Sequence, residues 1–103
     1  MITQINFRSK WLATEDTHIW IDSNSTNPNS TRLSIPSGTI LTWDDDAPNG
    51  NVWFYVNIDG KDYRGKRECG YITNLIKSGE IELLDNGNGR TAYTNNFLQM
   101  LLK

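Results

Sequence analysis

The chain's stock of groups for acid–base or nucleophilic chemistry is thin: one histidine, His18, and one cysteine, Cys69. His18 stands between Thr17 and Ile19 in a run of strand-forming residues and reads as structural. Cys69-Gly70 reads as a small buried hydrophobe in a strand, and no nucleophile–base pair is visible. Asn86-Gly87-Asn88-Gly89 lacks the Lys-Ser/Thr that completes a phosphate-binding loop. Three adjacent carboxylates, Asp44, Asp45 and Asp46, offer hard oxygen ligands of the kind Ca²⁺ and Mg²⁺ take. Their spacing is not that of an EF-hand, and alternate residues of a strand point to opposite faces, so the triplet reads as a solvated turn. No catalytic residue, metal or cofactor is expected, and the chain is not read as an enzyme.

Binding chemistry is better supplied. The Asp44–Asp46 turn has a basic counterpart in Lys61, Arg64, Lys66 and Arg67, interrupted by Asp62 and Glu68. An acidic loop and a basic hairpin on one small domain make a dipolar surface, which speeds encounter with a complementary partner. Four tryptophans stand at 11, 20, 43 and 53. Trp20 and Trp43 are expected in or beside the core, whereas Trp11 lies in the polar segment RSKWLATED, where core packing is less assured. In NVWFYVNI, 51–58, Val52, Phe54, Val56 and Ile58 alternate with Trp53, Tyr55 and Asn57. If the first set faces the core, Trp53 and Tyr55 face outward as a candidate binding pair. The expected site is therefore Trp53 and Tyr55, rimmed by Asp44–Asp46 and by Lys61, Arg64, Lys66 and Arg67.

The elements that must position these groups read mostly as strands. Leu, Ile, Val and Phe number 24 of 103 residues, above the roughly 20% below which chains stay disordered. One domain spanning 1–103 is expected. Asn, Thr and Ser together number 29, a composition that favours turns and edges over helix interiors. Strands are expected at 2–7, 18–21, 38–43, 51–58, 61–72 (bulged near Gly65) and 80–84. Asp59-Gly60 suits the positive φ of a two-residue hairpin turn. DSNSTNPNST, 22–31, reads as a long loop, and TNLIKSG, 73–79, as one helical turn at most. TNNFLQMLLK, 94–103, changes period, with Phe97, Leu98, Leu101 and Leu102 on one helix face and Thr94 or Asn95 as cap. The fold class is mainly β: a small antiparallel barrel of five to six strands over about 1–84, with a short C-terminal helix over about 94–102. A closed barrel also removes the exposed sheet edges that small β proteins must manage.

Residues 17–84 resemble the Src-homology-3-like (SH3-like) barrels, particularly their bacterial variety. HIWIDSNSTNPNST before LSIPSGTILTW is similar to the family's variable loop followed by Gly-Thr and a strand. VWFYVNIDG resembles its Trp-containing strand and distal hairpin, and GYITNLI at 70–76 its entry into a single 3₁₀ turn. EIELL would be the last strand. Trp53 matches the family's groove tryptophan and Tyr71 the aromatic before the turn; Thr73 and Leu75 stand where the groove has proline and tyrosine. The resemblance implies a binding module rather than a catalyst.

The net charge of −2 is that of neither a basic nucleic-acid binder nor a strongly acidic DNA mimic. A single cysteine excludes an intramolecular disulfide. No export signal and no membrane span is read, so the expected compartment is the cytoplasm. The expected function is non-enzymatic binding of a protein partner by occupancy, as an inhibitor or immunity protein of a phage or mobile element acts. The alternative is a nucleic-acid-binding barrel using the basic 61–67 hairpin. The third reading is a cell-wall peptide-binding module.

Overall fold

Alternation along 51–58 builds the centre of the molecule. In the computed structural model, which describes residues 4–22, 30–46 and 51–94, Val52, Phe54 and Val56 are buried while Trp53 is half-buried and Tyr55 is exposed. Among the described residues nine strands and one helix follow in order: β1 Gln4–Asn6, β2 Lys10–Ala13, β3 Thr17–Asp22, β4 Ser30–Ile35, β5 Ile40–Asp46, β6 Asn51–Ile58, β7 Lys61–Glu68, α1 Cys69–Ser78, β8 Ile81–Asp85 and β9 Thr91–Thr94. Seven strands form one antiparallel sheet in the order β4-β3-β7-β6-β5-β2-β8, and β1 pairs with β9 in a second. The expected five to six strands of one barrel are thus nine strands in two sheets, and the larger sheet runs from β4 to β8 without closing. The expected C-terminal helix lies outside the described residues, apart from Thr94, which ends β9.

The β6–β7 hairpin has the tightest local logic. Asp59 and Gly60 both take positive φ, 53° and 83°, as a two-residue turn matched to strand twist requires. The Gly60 amide donates to Asn57 Oδ1 at 3.2 Å, and Asn57 Nδ2 donates to Asp62 Oδ1 at 2.8 Å. Pairing then runs unbroken from Ile58↔Lys61 to Asn51↔Glu68. No bulge occurs at Gly65. That glycine serves a close approach instead: a Cβ there would lie 2.6 Å from Ile19 Cδ1 and 2.9 Å from the Trp20 carbonyl oxygen. The missing side chain lets β3 close onto β7. Register shifts in this sheet instead fall in β5, between Trp43 and Asp45, and where Lys10 and Trp11 of β2 meet β8.

The core holds Trp11, Trp43 and Phe54 at its centre, with Ile5, Ile19, Ile35, Leu41, Ile72 and Ile81 around them. Trp11 and Trp43 ring centroids are 6.0 Å apart, and Trp43 meets Phe54 edge-on at 5.4 Å. Trp11 is fully buried despite its polar neighbours, its indole N–H donating to Ser9 Oγ at 2.9 Å. Trp20 goes the other way: Ile19 takes the inward position of β3, so Trp20 is 37% exposed on the outer face.

The expected strand at 61–72 stops at Glu68, and the expected single turn at 73–79 is a ten-residue α-helix. Cys69 is therefore the first residue of a helix, not part of a strand. Ile72, Leu75 and Ile76, spaced as one helical face, are buried or half-buried against the core. Gly79 ends the helix at φ 79°, with its amide on the Ile76 carbonyl and the Glu80 amide on that of Leu75. The expected loop at 22–31 is also shorter: Asp22 pairs with Ser30 and Ile21 with Thr31 as β3 and β4 extend into it.

Candidate functional site

Register in β5, β6 and β7 decides which charged residues join the outward aromatics. Tyr55 lies opposite Arg64, and Trp53 opposite Lys66. The Arg64 guanidinium sits 4.4 Å from the Trp53 ring centre and 5.8 Å from that of Tyr55. The Lys66 ammonium is 5.4 Å from Trp53. Each such contact at a wet surface is worth roughly 0.5–1 kcal/mol. Asp44 is the extra residue of the β5 bulge, and its Oδ2 accepts from Arg64 Nε at 2.9 Å. A bulge re-aims a side chain; here it turns a carboxylate toward the guanidinium that lies over both rings. The result is an aromatic surface with a cation set over it, built on three strands.

This arrangement gathers Trp53, Tyr55, Asp44, Arg64 and Lys66. It does not gather Lys61 and Arg67, which have the opposite parity in β7. Lys61 lies over Tyr63, 5.3 Å from its ring centre. Arg67 is buried, and its Nη1 donates to the His18 carbonyl at 2.7 Å. Asp45 and Asp46 pair at the backbone with Trp53 and Val52.

The outer face extends in two directions. Toward β2 and β8, exposed Ile40 and Leu84 join Tyr55 around a hollow of about 580 Å³, with Lys10 at its margin. Toward β4, Arg32, Trp20, Lys66 and Trp53 stand opposite one another in register across four strands. His18 meets Trp20 edge-on at 5.5 Å. Between this row and α1 lies a cavity of about 320 Å³ lined by His18, Trp20, Lys66, Arg67 and Tyr71, with Asn51 and Glu68 completing it.

Two groups at this cavity have perturbed protonation. Burial, then Arg67 and Arg32, hold His18 below the usual imidazole range. Arg32 Nη2 lies 3.4 Å from His18 Nδ1, an acceptor in the neutral ring when the proton sits on the other nitrogen. Burial also pulls Arg67 below the ordinary guanidinium range, opposed by Tyr71 and Glu80. Among the described residues no cluster of three or more His, Cys, Asp or Glu side chains forms a metal site, and no helix is long and apolar enough to cross a membrane.

Sequence reasoning missed His18, Trp20, Tyr71 and Asn51 as one lining. Part of the signal was present, because an inward Ile19 puts His18 and Trp20 together on the outer face. No family model, curated protein or solved structure matches the chain.

Proposed function

We propose that the chain is a non-enzymatic binding domain that engages a protein partner through the outer face of β5, β6 and β7. The single observation carrying this is the outward strip of half-buried Trp53 with exposed Tyr55, Ile40 and Leu84, bordered by the Arg64–Asp44 pair. Large apolar groups ringed by charge are the anatomy of a protein interface, and Trp, Tyr and Arg dominate interface energetics. The Trp53 and Tyr55 rings and Arg64 hold one another in place before any partner arrives, which lowers the ordering cost of association. Action by occupancy, as by an inhibitor or immunity protein of a phage or mobile element, belongs to this reading. So does residence in the cytoplasm, where a chain with one cysteine has no disulfide to form. An SH3-like architecture is part of the same proposal. It is supported by the order of a β3–β4 hairpin, a strand, a tight β6–β7 hairpin, a helix and a closing strand.

A nucleic-acid reading has one observation in its favour, the alternation of cations and aromatics from Arg32 to Trp53. Against it, Arg64 and Lys66 already lie over Trp53 where a base would stack, and the chain carries a net charge of −2. The test is a photo-crosslinking amino acid at Tyr55 and, as control, at exposed Asn74 of α1. The proposal expects a discrete protein adduct from position 55 and not from 74. Adducts with nucleic acid alone, or equal protein adducts from both positions, would overturn it.

A further inference from the structure

We propose that the 320 Å³ cavity between β3, β7 and α1 binds a phosphate monoester carried on a planar ring, with Arg67 and Lys66 holding the phosphate and Trp20 and Tyr71 flanking the ring. The starting point is Arg67, which is only 6% exposed. Its charge meets the His18 carbonyl at 2.7 Å and the Tyr71 ring at 4.9 Å. Among the described residues it forms no ion pair with a carboxylate. Tyr71, Glu80 and Glu68 favour its charge without pairing with it directly; a buried cation with no direct ion pair is still costly, and an apolar residue of similar volume would fill such a position at lower cost. A guanidinium kept there is suited to an anion that arrives from outside.

The surroundings fit that anion. Arg67 lines the cavity, and so does Lys66, the preceding residue of β7. His18, neutral through burial and its two arginine neighbours, adds a hydrogen-bonding ring without adding charge. Asn51 adds an amide. Glu80 and Glu68 are the opposing charges, and Glu68 is exposed at the end of β7. A guanidinium matches the paired oxygens of a phosphate, whereas a lone ammonium acts as a point charge. The volume lies at the lower end of small-molecule sites, too small for an extended polymer but large enough for one phosphate and a ring. Trp20 and Tyr71 are 37% and 55% exposed at this cavity, so each offers an aromatic surface to that ring.

This site adjoins the protein-docking face and shares Lys66 with it, and its ligand is tested with defined probes. Phenyl phosphate, O-phosphotyrosine, a nucleoside 5′-monophosphate and inorganic phosphate are titrated into the full chain. The readouts are the Trp20 indole N–H resonance and the unfolding midpoint. The proposal expects at least one ring-bearing monoester to bind saturably and at least ten-fold tighter than inorganic phosphate, and to raise the midpoint with concentration, as binding to the native state must. The tightest of the three names the carrier. Arg67→Met should keep or raise the midpoint without ligand and lose the ligand-induced rise. If Arg67→Met does not fold, Tyr71→Ala, at an exposed position, supplies the second variant: it should weaken the monoester at least five-fold and leave inorganic phosphate unchanged. No saturable binding of any ring-bearing monoester, or an unchanged ligand response in folded Arg67→Met, would overturn the proposal.

Discussion

Replacing Gly65 by alanine should loosen the joint that carries half of the outer surface. The added Cβ would stand 2.6 and 2.8 Å from Ile19 Cδ1 and Cγ1, and 2.9 Å from the Trp20 carbonyl oxygen. Ile19 is 1% exposed and packed in the core, so its side chain cannot swing away. The carbonyl belongs to β3 where it pairs with β7, at Trp20↔Lys66. Relief therefore comes from pushing β3 off β7, at the overpacking cost of about 1–3 kcal/mol. At about 4–8 °C per kcal/mol for a domain of this size, the thermal midpoint should fall by roughly 4–24 °C. Urea unfolding gives the energy directly. Ile19→Ala removes both clashing carbons, so its cost should be partly cancelled in the double variant, with a coupling of at least about 0.5 kcal/mol. A Gly65→Ala variant within about 0.5 kcal/mol of wild type would refute the close-approach argument, and so would strict additivity with Ile19→Ala.

Other outcomes follow from the same geometry. Gly60→Val should cost about 1 kcal/mol or more in urea unfolding, because Gly60 sits at φ 83° with open space around it; the penalty is backbone strain and not a clash. His18 is the only histidine in the chain, and its folded-state pKa is lowered, by burial first and then by Arg67 and Arg32. The unfolded chain thus takes up the proton first. Stability should be fully present above about pH 6.5 and fall as pH drops through the lowered folded value. Unfolding midpoints between pH 7.5 and 5 should slope downward for wild type and flatten in His18→Gln; parallel curves would refute the assignment. Asp44→Asn should change stability by less than about 1 kcal/mol, since the Arg64 pair is exposed. Its effect on partner binding should appear in the association rate and fade with salt, which stopped-flow mixing at two ionic strengths would check.

The local parts of this fold were legible because local rules govern them. Alternation placed Trp53 and Tyr55 outward, and Asp59-Gly60 announced the turn. Those two facts also fix the parity of β7. With Ile58 opposite Lys61, Tyr55 must face Arg64 and Trp53 must face Lys66, leaving Lys61 and Arg67 on the other side. Grouping all four cations in one patch overlooked that consequence. Helix α1 was misread because Gly70 and the neighbouring strand pattern outweighed the spacing of Ile72, Leu75 and Ile76, which carries the helical period. Trp11 was undervalued because its polar neighbours belong to a strand with only four residues, of which Trp11 and Ala13 point inward. The cavity was legible only in part, through the shared outward parity of His18 and Trp20 and the glycine at 65. The rest depends on β3 lying beside β7, a pairing between residues far apart in the chain.

The central claim is that the outer face of β5–β7 binds a protein, and Trp53→Ala tests it most directly. The partner is taken from the Tyr55 crosslink, and affinity and unfolding midpoint are measured on the same preparation. Trp53 lies under Arg64 and Lys66 and outside the buried core, so the variant should remain folded. The account predicts a loss of at least about 2 kcal/mol in binding, roughly 30-fold in Kd. A folded Trp53→Ala protein with wild-type affinity would contradict it.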